Sequence, residues 1–145
     1  MTHGSNAVGR TGGSSARTVN QTVALVFGVI YTLVGIAGFF VSETFAETTD
    51  NDLLGLFQVN NLHNIVHLLI GVALIAASRR LDTARGANLA IGGTYVLLGL
   101  LGWFIDDTEA NIIALNSADH LLHLGSGALL AATALLADKE HRARV

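Results

Sequence analysis

The chain has 145 residues, of which 51% are hydrophobic and only 13% charged, with a net charge of −3. Soluble domains carry about 25% charged residues, so this composition in so short a chain excludes an ordinary soluble domain and calls for lipid or a partner. The negative balance excludes a general nucleic-acid binder, and the absence of cysteine excludes disulfides, thiolate metal sites and thiol nucleophiles.

Residues 1–20, MTHGSNAVGRTGGSSARTVN, are rich in Gly, Ser, Thr and Asn and lack an apolar face. They read as a disordered tail. Arg10 and Arg17 precede a long apolar run in the manner of a signal peptide, but the run exceeds the usual length and no small-residue cleavage site follows it. A retained first helix is expected. Four apolar stretches follow: Val23–Val41, Leu62–Ala77, Ala87–Ile105 and Ala118–Ala137. Each is about 16–20 residues long, near what a helix needs to cross about 30 Å of hydrocarbon. The runs are continuous rather than alternating, which excludes a β-barrel. With no proline in the chain, sharp kinks are not expected.

All eight Lys and Arg fall in three places: Arg10 and Arg17; Arg79, Arg80 and Arg85; Lys139, Arg142 and Arg144. The first loop carries Glu43, Glu47, Asp50 and Asp52, the third Asp106, Asp107 and Glu109, and neither has a basic residue. The positive-inside rule then predicts that both termini and the second loop are cytoplasmic. The expected organisation is a cytoplasmic tail at 1–20, a four-helix membrane domain at 21–138 and a second tail at 139–145, in the cell membrane.

The chain also repeats itself. FGVIYTLVGIAGFF in the first helix aligns with IGGTYVLLGLLGWF in the third, matching Gly28 to Gly92, Tyr31 to Tyr95, Gly35 to Gly99 and Gly38 to Gly102. NNLHNIVHLLIG in the second aligns with NSADHLLHLGSG in the fourth, matching Asn60 to Asn116, His67 to His123 and Gly71 to Gly127. The offset falls from 64 to 56, so the first acidic loop is eight residues longer than the third. Two-helix units start from the same side, so the expected fold is all-α: two parallel-repeat hairpins about 21–80 and 85–138, related by a pseudo-two-fold axis along the membrane normal. The recurring glycines are read as points of close helix approach.

Polar residues gather at the outer ends of the second and fourth helices. His63 and His67 are four apart and share a face, about 6 Å apart along the axis; Asn60 and Asn64 flank them. In the fourth helix Asp119 and His123 are four apart, with His120 and Asn116 adjacent. At matching depth, an axis between these helices would bring His67 to His123. The leading role is structural, with Asn and Asp capping helix starts and the cluster joining the helices. The alternative is a metal ion, a haem, or an ion or proton path, held by His63, His67, His120 and His123 with Asp119 assisting. No enzyme is expected, because membrane di-iron chemistry takes more histidines and no nucleophile sits in a recognisable setting. Beyond the lipid bilayer, expected partners are further copies of the chain or a larger membrane complex docking on the acidic loops. His3 and His141 read as solvated bystanders. Trp103, Phe40 and Phe104 read as interfacial anchors, and Tyr31 and Tyr95, in mid-helix, each call for an internal hydrogen-bond partner.

LFQVNNLHNIVHLLIGVAL (56–74) and ALNSADHLLHLGSGALL (114–130), with the Gly- and Tyr-bearing odd helices, resemble the DUF4383 family over about residues 20–137. These are small multi-pass membrane proteins of bacteria and archaea. The resemblance implies location and fold but no activity. The family pattern has Asn where this chain has His120, an extra side chain that supplies either a ligand or a hydrogen bond.

Overall fold

The structure, a computed structural model, describes residues 16–48 and 52–139; His3, His141 and most of both expected tails lie outside them. Four helices dominate: α1 (Val19–Gly38), α2 (Asn61–Ala77), α3 (Leu81–Leu101) and α4 (Ser117–Leu136). Three helical stretches are long and apolar enough to cross a membrane: Val19–Gly38, Leu81–Phe104 and Ser117–Leu136. At 17 residues, α2 is shorter.

Hydropathy misplaces two of the helix starts. α1 begins four residues before the apolar run, because Thr18 and Gln21 form a reciprocal capping box that satisfies its first amides. α3 begins six residues early, with Asp82 in its first turn, where a carboxylate suits the positive helix end. Arg85, assigned by sequence to the loop, is therefore helical, and its Nε donates to the Ala134 carbonyl at 2.6 Å.

The helices pack as two antiparallel hairpins, α1 with α2 and α3 with α4, through matched glycines. A Cβ on Gly28 would lie 2.9 Å from Gly71 O, and one on Gly92 would lie 2.8 Å from Gly127 O. Gly35 faces Leu68 as Gly99 faces Leu124, and Gly38 faces Asn64 as Gly102 faces His120. Without a hydrophobic drive between helices in lipid, backbone-to-backbone proximity of this kind supplies the packing. Both odd helices then tighten into i→i+3 turns, Phe39–Val41 and the 3₁₀ segment Gly102–Phe104.

At the basic-loop end, Asn20 and Asn88 are fully buried. Asn88 Nδ2 donates to both Asn20 O and Asn20 Oδ1 at 3.1 Å. Asn20 Nδ2 reaches Thr133 O and Asp138 Oδ2. Asp138, at a left-handed φ of 55°, accepts from the backbone amides of Val19 and Asn20, tying the chain after α4 onto the start of α1. Burial favours its neutral acid, but hydrogen bonds from Asn20 and Val19 outweigh that and hold its pKa below the ordinary carboxylate value. A depressed folded-state pKa means the bond stabilises fully above the ordinary carboxylate range and is lost as pH falls through the folded value. Asp138→Ala should lower stability by about 0.5–2 kcal/mol, the usual worth of an N-cap. Thermal melts of wild type and variant in detergent should converge as pH drops through that range.

The longer first acidic loop holds a small β-hairpin that the sequence reading did not anticipate. Asp52–Leu53 (β1) and Phe57–Gln58 (β2) pair antiparallel, Leu53 opposite Phe57. The turn between them has Leu54 and Gly55 at positive φ, which glycine adopts freely and leucine does not.

Candidate functional site

The acidic-loop end of α2 and α4 begins with matched caps. Asn60 Oδ1 accepts from His63 N at 2.8 Å, and Asn116 Oδ1 accepts from Asp119 N at 3.0 Å. Asp119 Oδ2 in turn accepts from Asn116 N at 3.1 Å, closing a capping box. The other ends of the cap amides cross between the hairpins. Asn60 Nδ2 donates to Ile112 O and Asn116 Nδ2 to Leu56 O, each at 2.9 Å. Asn60→Ala should therefore lose both a cap and a cross-hairpin bond, about 1–3 kcal/mol together. Asn60→Asp keeps an acceptor for the cap and should lose less. Thermal unfolding in detergent ranks the two.

One turn deeper, the two hairpins bring three histidines together. His63, His67 and His123 each offer a ring nitrogen, and these atoms lie within 4.8 Å of one another. His63 Nε2 and His67 Nε2 are 3.0 Å apart. The His67 and His123 ring centroids are 6.3 Å apart, and those of His63 and His123 6.1 Å. All three side chains are buried. The His63 ring lies beside the backbone of Gln58 and Ile113, and Nδ1 of His63, His67 and His123 alike finds no hydrogen-bond partner among the described residues. Such unpaired buried groups carry a penalty of about 1–3 kcal/mol.

Two tyrosines line the deep side. Tyr31 meets His67 edge-on at 5.4 Å, Tyr95 meets His123 at 4.6 Å, and the tyrosine rings lie 5.3 Å from each other. The internal partners expected for their hydroxyls are not there: neither forms a hydrogen bond among the described residues. Their place is taken by aromatic packing against the imidazoles. Leu53, Leu54, Phe57 and Val59 from the β-hairpin segment cover the opposite side of a cavity of about 80 Å³. That space has room for a metal ion with a small ligand and is far too small for a porphyrin.

The remaining candidates separate. Asp119 is buried and lines the same cavity, but it is not part of the close group of three. His120 points elsewhere. Its Nε2 pairs with Asp106 Oδ1 at 2.5 Å, its ring packs on Trp103, and it sits over Gly102. Asn64, at the matched position, donates to Ser42 Oγ at 3.0 Å and sits over Gly38. Both residues thus join an even helix to the odd helix of its own hairpin. The buried Asn20–Asn88 pair at the far end escaped the sequence reading, because hydropathy treats polar residues as the edge of a span.

The family described as "Domain of unknown function (DUF4383)" matches residues 21–136. Neither a curated protein nor a solved structure matches the chain. With its paired glycines, capping asparagines and three converging histidines all inside the matched stretch, the chain belongs to the DUF4383 family of membrane-type helical proteins.

Proposed function

We propose that this is a four-span protein of the cell membrane whose two hairpins jointly hold one divalent transition-metal ion, of the zinc type, through His63, His67 and His123. The observation that carries the proposal is the convergence of three buried ring nitrogens, two from one hairpin and one from the other, within 4.8 Å. Neutral imidazole suits zinc, copper and nickel. Zn–N bonds of about 2.0–2.1 Å in tetrahedral geometry place ligand nitrogens roughly 3.3 Å apart. The His63–His67 separation of 3.0 Å is already close to that, and the third nitrogen needs a rotamer-scale adjustment. Asp119 lines the same cavity as the three histidines, so a fourth ligand would come from that space. We assign the ion no reaction.

In this proposal the hairpins are parallel repeats about a pseudo-two-fold axis, with termini in the cytoplasm and the site in the outer half of the bilayer. The matched contacts of Gly28 and Gly92, of Asn64 and His120, and of the two crossing caps support the repeat. The partition of basic residues supports the orientation. α2 spans as the short member of a four-helix bundle, its first-turn polar groups turned inward. The capping asparagines then join the hairpins together with the shared ion.

Elemental analysis of purified protein after zinc loading and desalting tests the site. About one ion per chain is expected. No retained metal in a folded, loaded sample would overturn the assignment.

A further inference from the structure

A second opening leads to the histidines from the side. Between α1 and α4 runs a groove of about 390 Å³, walled by Phe27, Ile30, Val34, Leu121 and Leu129. That volume lies in the range of small-molecule sites, roughly 300–1,000 Å³. Ile30, Leu121 and Leu129 are exposed, so in a bilayer the groove opens to lipid. Its floor is polar and aromatic: Tyr31 and His67 line both the groove and the histidine cavity. Both are more than nine-tenths buried, at 5% and 7% exposure. Tyr31 Oη lies beside Ser126 but makes no hydrogen bond of ordinary geometry, and His67 Nδ1 is equally unpartnered.

The repeat explains why the groove exists on this side. Where the first hairpin has Leu69 and Ile70, the second has Gly125 and Ser126. Ile70 packs on the core, whereas a Cβ added at Gly125 meets nothing within 4 Å. Ser126 leaves open what Ile70 fills in the other hairpin, and Gly125 clears the rim where the exposed Leu69 stands.

We propose that this groove admits a membrane-soluble quinone, its apolar tail along the α1–α4 seam and its carbonyl ring against Tyr31 and His67. The walls suit a hydrocarbon tail. The unpartnered Tyr31 hydroxyl donates to a carbonyl oxygen, and the edge-on Tyr31 and His67 rings offer a surface for a planar head. An anionic head is disfavoured, because no Lys or Arg lines the groove among the described residues. The inference stands on the groove and its floor and does not require the metal.

The test is photolabelling of the full-length chain in nanodiscs with a decyl-tailed benzoquinone carrying a diazirine, with adducts located by mass spectrometry. Saturable labelling of α1 and α4 around the groove is expected, displaced by unlabelled decyl benzoquinone. Gly125→Leu installs the residue of the matched position in open space, so the protein should melt as wild type while labelling falls at least about tenfold. Tyr31→Phe removes one hydrogen bond and should weaken labelling roughly threefold to tenfold. Labelling should persist after chelation and in His123→Ala, which separates this result from the fate of the metal proposal. Labelling unchanged by Gly125→Leu, or displaced equally well by decylbenzene, would overturn the inference. So would a change of oligomeric state in Gly125→Leu, which would make the groove a contact between copies.

Discussion

Gly71→Ala should destabilise the protein by about 1–3 kcal/mol, the usual toll of overpacking, and Gly127→Ala should do the same. Intrinsic propensity points the other way, since alanine is favoured over glycine in a helix by about 1 kcal/mol. Sterics decide the sign. A Cβ on Gly71 would lie 2.7 Å from the Thr32 amide nitrogen and 2.8 Å from Gly28 O, and would overlap Thr32 Oγ1. A Cβ on Gly127 would lie 2.7 Å from Gly92 O and 2.8 Å from Val96 N. Side-chain rotation cannot relieve a clash with backbone, so the helices must part along the whole seam. Gly86 and Gly93 are the controls: an added Cβ there meets nothing within 4 Å, and alanine should be neutral or mildly stabilising. Thermal unfolding in detergent of the four variants measures the contrast. Equal melting at all four positions would show that the glycines do not set the helix spacing. Gly71→Leu, with a larger overlap, should leave no folded protein.

The same glycines were the most legible feature of the sequence, because their recurrence at fixed offsets needs only the idea that small residues let helices touch. The capping asparagines were legible for a similar reason: an Asn three residues before a first-turn polar group satisfies a local rule. Facing direction was harder. His120 is adjacent to Asp119 and three residues from His123, so spacing alone groups it with them. Each helical residue advances about 100°, and that rotation turns His120 toward α3, where Gly102 makes room for it. A readable signal did exist: Gly102 and Gly38 occur at matched positions, each opposite a polar residue of the following helix. The polar helix ends at Asn20, Asn88 and Arg85 were hidden because a hydropathy run stops at the first polar group, while the helix continues as long as its backbone is bonded and its polar side chains find partners. The β-hairpin was visible only as an eight-residue excess, since two-residue strands leave no periodicity to read.

Zinc should raise the melting temperature of the wild-type protein, and His67→Ala should abolish that rise. A ligand that binds only the folded state stabilises it by about 2.7 kcal/mol at a hundred times its dissociation constant, so the shift reports binding without any assay of activity. His67 is the strongest choice. It lies 3.0 Å from His63 through facing Nε2 atoms and it approaches His123. Losing an outer-shell partner of a metal ligand costs 10–100-fold in affinity; losing one of only three ligands should exceed about a hundredfold. A purely structural histidine would behave differently, because His67→Ala would then lower melting equally with and without zinc. His120→Asn is the matched control. It places at 120 the residue found at the equivalent position 64, where Asn sits over Gly38 and bonds to Ser42, so the zinc-dependent shift should survive it. His123→Ala should reproduce His67→Ala, because a single ion shared between hairpins makes either loss sufficient. If instead His123→Ala kept the full shift, the ion would be held by the first hairpin alone, and the joint site would be wrong.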